Sequence, residues 1–121
     1  MDEAGARASV VVADDDEFVL RALGRIVQGA GYRVALACEG AEAVRMCREL
    51  RPRLLLVDRD MPPPRYPTIA RTLRTELGTD APRIVVVTGN VELSCPEEVD
   101  GVLAKPFRVA EIVLLLKRFA G

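Results

Sequence analysis

A chain of 121 residues has room for one hydrophobic core, so residues 1–121 are expected to form a single domain. Its 17 basic and 18 acidic residues leave a formal charge of −1, which excludes the positive field that would gather nucleic acid or an anionic membrane. With no histidine, Ser-His-Asp, Cys-His and His-Glu-x-x-His chemistry is excluded as well, and Cys38, Cys47 and Cys95 lack both Cys-x-x-Cys spacing and histidine partners for zinc.

Met1 to Ala8 is short and mixed in charge, without the apolar length of a signal peptide or membrane span, so a cytoplasmic protein is expected. Ser9 to Ala13 is the first apolar, β-branched run and ends in Asp14-Asp15-Asp16-Glu17. Phe18, Val19, Ala22, Leu23, Ile26 and Val27 then recur at helical spacing and stop at Gln28-Gly29-Ala30-Gly31, with Asp16 and Glu17 suited to capping the helix start. A second strand is predicted over Arg33 to Ala37 and a second helix over Ala41 to Leu50, broken by Pro52. The third strand, Arg53 to Val57, leads into Asp58-Arg59-Asp60 and a rigid loop, Met61-Pro62-Pro63-Pro64-Arg65-Tyr66-Pro67. Thr68 to Leu77 reads as the third helix, closed by Gly78. Arg83 to Val87 runs into Thr88-Gly89-Asn90, and a weaker fifth run, Gly101 to Ala104, into Lys105-Pro106-Phe107 before a last helix over Arg108 to Ala120. The cysteines are expected as small core or partly buried thiols.

Continuous apolar strands alternating with amphipathic helices describe an α/β fold: a flavodoxin-like, doubly wound, five-stranded parallel sheet of order 2-1-3-4-5. Ligands of such sheets sit at the carboxyl ends of the strands, where all four polar clusters fall. Only 16 residues separate Thr88 from Lys105, so the fourth helix is expected to be shortened or replaced by a loop over Val91 to Asp100.

Each cluster alone has an ordinary explanation: acidic residues after a strand cap the next helix, Thr-Gly makes a turn, and Lys-Pro precedes a helix. Together they supply what an acyl-phosphate site needs, namely a carboxylate nucleophile, oxygen ligands for Mg2+, a hydroxyl and a fixed ammonium. Asp14 or Asp15, Asp58, a backbone carbonyl near Asp60 and a phosphate oxygen would make a reasonable Mg2+ shell. The chain writes 15 of its cations as arginine and only Lys105 and Lys117 as lysine, which adds weight to the compact charge at 105.

Val-Val-Ala-Asp-Asp-Asp-Glu, Leu-Leu-Val-Asp-Arg-Asp-Met-Pro, Thr88-Gly89 and Lys105-Pro106-Phe107 resemble the four signature segments of response-regulator receiver domains, and the resemblance covers essentially the whole chain. It implies Asp58 as phosphoacceptor, Asp14 and Asp15 as the Mg2+ pair, Thr88 with Gly89 as the phosphate-binding switch, and Lys105 as the salt-bridge partner. In that family the positions of Asp60 and Asn90 border the phosphoryl group, which implies that these two residues tune its lifetime. The resemblance also implies a histidine kinase or phosphotransfer protein as donor, and a downstream protein or an output domain joined after Gly121. Such a domain assists its own phosphorylation and dephosphorylation and is otherwise not an enzyme.

The chain departs from the family at Val102, where a switch aromatic is usual, and in the proline-rich loop after Asp58, where Arg65 and Tyr66 stand either near the site or simply exposed. Ile112 to Leu116 is apolar around more than one helix face, which fits either a wide core-facing stripe or a homodimer surface on the last helix. Two rival functions remain open: a receiver-like interaction module that signals without phosphorylation, and an aspartyl-phosphate phosphohydrolase suggested by Asp58-Arg59-Asp60.

Overall fold

The apolar runs assemble, in a computed structural model that describes residues 9–90 and 99–121, as one parallel sheet. Its strands are β1 (Val10–Ala13), β2 (Val34–Ala37), β3 (Leu54–Asp58), β4 (Arg83–Thr88) and β5 (Gly101–Ala104), in the predicted order β2-β1-β3-β4-β5. The register pairs Val10 with both Val34 and Leu54, Leu54 with Arg83, and Val85 with Gly101. Parallel strands are linked by crossover helices, here α1 (Glu17–Gly29), α2 (Gly40–Leu50) and α3 (Tyr66–Leu77), and α4 (Val109–Phe119) follows β5.

Strand alternation divides the core in two. Val11, Ala13, Leu55, Val57, Ile84 and Val86 face Val44 and Cys47 of α2 and Ile69 and Leu73 of α3. Val10, Val12, Leu54, Leu56, Val85 and Val87 face Leu20, Leu23 and Val27 of α1 and Ile112 and Leu116 of α4. Both faces of β1 and β3 are thus covered, which is why their sequences are apolar without interruption.

Local chemistry sets the helix ends. Asp16 caps α1, its Oδ1 accepting from the N–H groups of Phe18 at 2.9 Å and Val19 at 3.4 Å, as the sequence predicts. Phe18 departs from the predicted apolar stripe: it is 88% exposed, while Leu20, Leu23, Gly24 and Val27 are buried. Two residues of helix rotate the side chain by about 200°, so Phe18 faces away from the stripe that begins at Leu20. α3 starts two residues before its predicted first residue, because Pro67 fits a first turn, where a missing N–H is no loss. A 3-10 turn over Gly78–Asp80 follows it.

The apolar run of α4 divides by face, with Ile112 and Leu116 buried, Leu115 packed against the core and Leu114 67% exposed. Cys47 is buried, and desolvation pushes its thiol up to about 12. Cys38 is exposed, against the expectation of a covered thiol, because it lies just beyond the end of β2. Cys95 and residues 91–98 of the expected short fourth-helix region lie outside the described residues. No helix among the described residues is long and apolar enough to cross a membrane.

Candidate functional site

Parallel strands end on the same side, so the residues at or just beyond the ends of β1, β3, β4 and β5 converge on one edge. Backbone hydrogen bonds continue past the strand ends and hold these positions: Asp14 N–H donates to the Ala37 carbonyl at 3.1 Å, Arg59 N–H to Val87 at 2.9 Å and Lys105 N–H to Thr88 at 2.7 Å. Among the described residues the buried polar or charged side chains are Asp14, Asp58 and Thr88, and all three lie here. Buried carboxylates are costly unless something compensates them.

Part of that compensation is Lys105. Its Nζ donates to Asp58 Oδ1 at 2.9 Å and stands 3.6 Å from Asp14 Oδ2, close enough to act as a charge but too far for a good hydrogen bond. Asp14 Oδ1 accepts from the Asp16 N–H at 2.8 Å, whereas Asp14 Oδ2 is buried without a hydrogen-bond partner. Carboxylate oxygens of Asp14, Asp15 and Asp58 lie within 4.8 Å of one another, with Asp15 exposed at the mouth. A hard divalent cation fits this donor set: all ligands are oxygen, the carboxylates outnumber Lys105, and one buried oxygen lacks a hydrogen.

Desolvation raises the Asp14 carboxyl above its ordinary range; the Asp16 N–H opposes the rise, the Asp58 charge adds to it, Lys105 opposes it and Asp15 adds a last contribution. Burial alone would lower Lys105, but its hydrogen bond to Asp58 and the charges of Asp14 and Asp58 outweigh burial and hold it above the usual lysine value. The lysine is therefore charged at neutral pH.

Thr88 is buried at the end of β4, with its Oγ1 accepting from the Asn90 N–H at 3.0 Å. Gly89 and Asn90 are exposed beyond it. Asp60 is exposed beside the site and pairs loosely with Arg59 at 3.4 Å. Val102 is half-buried on β5, in register with Val86. The sequence reading thus brings Asp14, Asp15, Asp58, Thr88 and Lys105 to one edge. It missed Met61, which is buried directly after the acidic turn, and Gly40, whose place at the start of α2 brings it against the proline loop. The composition anomaly at Met61–Pro67 was the available signal for both.

An acid-and-lysine edge on a 2-1-3-4-5 parallel sheet defines a class of small doubly wound α/β domains. Within that class the chain belongs to the response regulator receiver domain family, whose model matches residues 10–117. It is 34% identical to the transcriptional regulatory protein PrrA of Mycobacterium tuberculosis, over 97% of this chain and 52% of that protein. It is 30% identical to the DNA-binding response regulator MtrA of Mycobacterium leprae, over 88% of this chain and 48% of the relative. The chain therefore spans about half the length of these curated relatives. In fold it resembles the Vibrio cholerae chemotaxis protein CheY4, with a TM-score of 0.81 at 24% identity over 93% of this chain and 98% of that one. The signal receiver domain of NarL from Mycobacterium tuberculosis gives a TM-score of 0.78 at 22% identity, over 94% and 96% of the two chains.

Proposed function

We propose that this receiver domain signals through phosphorylation of Asp58 by a histidine kinase or phosphotransfer protein. The observation that supports this best is the buried Asp58 carboxylate held 2.9 Å from Lys105 Nζ, beside an Asp14 Oδ2 that accepts no hydrogen bond. An Asp58 oxygen forms the O–P bond as the donor's P–N bond breaks, and Lys105 offsets the negative charge of the incoming phosphoryl oxygens. Asp14, Asp15, Asp58 and the backbone carbonyl of Asp60 would hold Mg2+, which supplies charge neutralisation to the crowded carboxylates and the phosphoryl group.

Thr88 then turns its hydroxyl from the Asn90 N–H toward the new phosphoryl oxygens, with Gly89 leaving the backbone room to follow. Repositioning of this turn alters the surface around β4 and β5 that a downstream protein or an attached output domain reads. Exposed Val109 and Leu114 on α4 offer a contact for a second copy of the domain. The domain acts in the cytoplasm, on protein partners rather than on nucleic acid directly, and takes up one phosphoryl group without turning over a substrate.

The test is incubation with Mg2+ and a small-molecule phosphodonor, followed by intact mass measurement. A single phosphate adduct, absent in Asp58→Ala and in EDTA, is the expected result. A folded, Mg2+-binding protein that stays unmodified with both small donors and candidate kinases would favour the phosphorylation-independent module. Multiple turnover of a phosphoester would favour the phosphohydrolase.

A further inference from the structure

A cleft of about 540 Å3 lies beside the site, between the loop after β3 and the start of α3. Arg59, Arg65 and Arg71 line it together with Asp60, so three guanidinium charges meet one carboxylate and leave a net charge of +2. That concentration stands out in a chain whose net charge is −1.

Neighbouring arginines on α2, at its end and on α3 are neutralised locally: Arg45 by Glu42 and Glu49, Arg48 by Glu76, Arg51 by Asp80 and Arg74 by Asp100. Among the described residues Arg65 and Arg71 have no ion pair, and Arg59 has only the loose, exposed contact with Asp60 at 3.4 Å. Arg65, the extended residue that precedes α3, and Thr68 and Arg71 of its first two turns line the same cleft, while Ile69 and Leu73 of the helix are buried. The first turn of α3 carries no acidic residue and no side-chain cap, so the field of the helix end adds to the arginines instead of being cancelled.

Guanidinium groups recognise phosphate oxygens through paired N–H donors, and Thr68 adds a hydroxyl. The remaining wall is apolar, made of the Tyr66 ring and the loop prolines, and the cleft volume exceeds what an inorganic phosphate needs. From the cluster of unneutralised arginines on one wall and the aromatic and proline surface on the other, we infer that this cleft binds a small phosphate-bearing molecule of nucleotide size, independently of phosphorylation at Asp58.

Titration calorimetry at low salt with EDTA present, using pyrophosphate and ADP as probes, tests the inference on the unphosphorylated chain. Binding is expected at one site and to weaken at least tenfold in the Arg65→Ala, Arg71→Ala double variant. Both arginines are exposed, and an unchanged circular dichroism spectrum and melting curve would verify that the variant folds. An Arg51→Ala, Arg53→Ala variant, altered in the cleft at the opposite end of the sheet, should bind as the wild type does. Tighter binding of ADP than of pyrophosphate supports a ligand of nucleotide size, and equal binding overturns that size by showing that the aromatic and proline wall adds no contact. Binding undiminished in the Arg65, Arg71 variant overturns the site. So does failure of both probes, and capture of a glutamate-rich peptide in that case would reassign the cleft to an acidic protein segment.

Discussion

A Cβ placed on Gly40 would stand 2.3 Å from the carbonyl oxygen of Pro64. The start of α2 and the proline loop after β3 therefore touch backbone to backbone, at a spot where only glycine fits. The nearest obstacle is main chain rather than a flexible side-chain tip, so relief requires movement of the loop itself. Gly40→Ala is expected to destabilise the domain by about 1–3 kcal/mol, as overpacking does. Because that loop follows Asp58, the variant should also take up phosphate from a small donor more slowly than wild type. Urea midpoints and the time course of the mass adduct check the two effects.

Asp14 gives a pH dependence of definite sign. Its carboxyl is raised in the folded state, chiefly by desolvation, so its charged form opposes folding. The stability that the protonated group confers is fully present below the unfolded value and is lost as pH rises through the higher folded value. Metal-free Asp14→Asn should therefore melt above wild type at neutral pH, and the difference should shrink on acidification through the folded value. Mg2+ should raise the melting temperature of wild type more than that of the variant, because the variant lacks one ligand. Melting curves from pH 4 to 8, with and without Mg2+, read both; a lower melting temperature for the metal-free variant at neutral pH would contradict the sign.

Asp60 and Asn90 are exposed at the rim of the site. Substituting either should change stability by less than about 0.5 kcal/mol, as for most surface positions. Severalfold changes in the decay rate of the phosphorylated form are expected, measured by loss of the mass adduct after donor removal. Equal decay in wild type, Asp60→Ala and Asn90→Ala would count against a role in phosphoryl lifetime.

Asp100 fastens the entrance of β5 to β4. Its backbone N–H donates to the Ile84 carbonyl at 2.7 Å, its Oδ2 accepts from the Ile84 N–H at 2.8 Å, and Arg74 and Arg83 reach it at 3.3 and 3.4 Å. The two arginine contacts are exposed and add little. Loss of the acceptor for Ile84 in Asp100→Ala should destabilise by about 1–3 kcal/mol. Asp100→Asn, which keeps an oxygen for that N–H, should recover most of the loss in denaturant titration.

The strands were readable because a fully buried parallel strand is written as an unbroken apolar run, and the convergence of Asp14, Asp58, Thr88 and Lys105 follows from their shared place at strand ends. What was not readable depends on distant partners or on rotation about a helix axis. Phe18 looked like core because spacing alone does not say which of two overlapping stripes faces the sheet. Asp100 looked like one more loop acid because the N–H it satisfies belongs to Ile84, 16 residues earlier. Gly40 carried no signal of its own, since its constraint comes from Pro64. The arginine cleft was divided in the sequence between the end of β3 and the first two turns of α3, and only folding brings Arg59 and Arg71 to the same walls.

The acidic stretch after β1 is a chain of two hydrogen bonds, with Asp14 holding the Asp16 amide and Asp16 holding the amide of Phe18. A ligand that draws on the Asp14 carboxylate thus tugs on the first turn of α1 through two successive hydrogen bonds. The amide resonances of Asp16 and Phe18 form a natural spectroscopic gauge, able to register occupancy of the buried carboxylates at the start of α1.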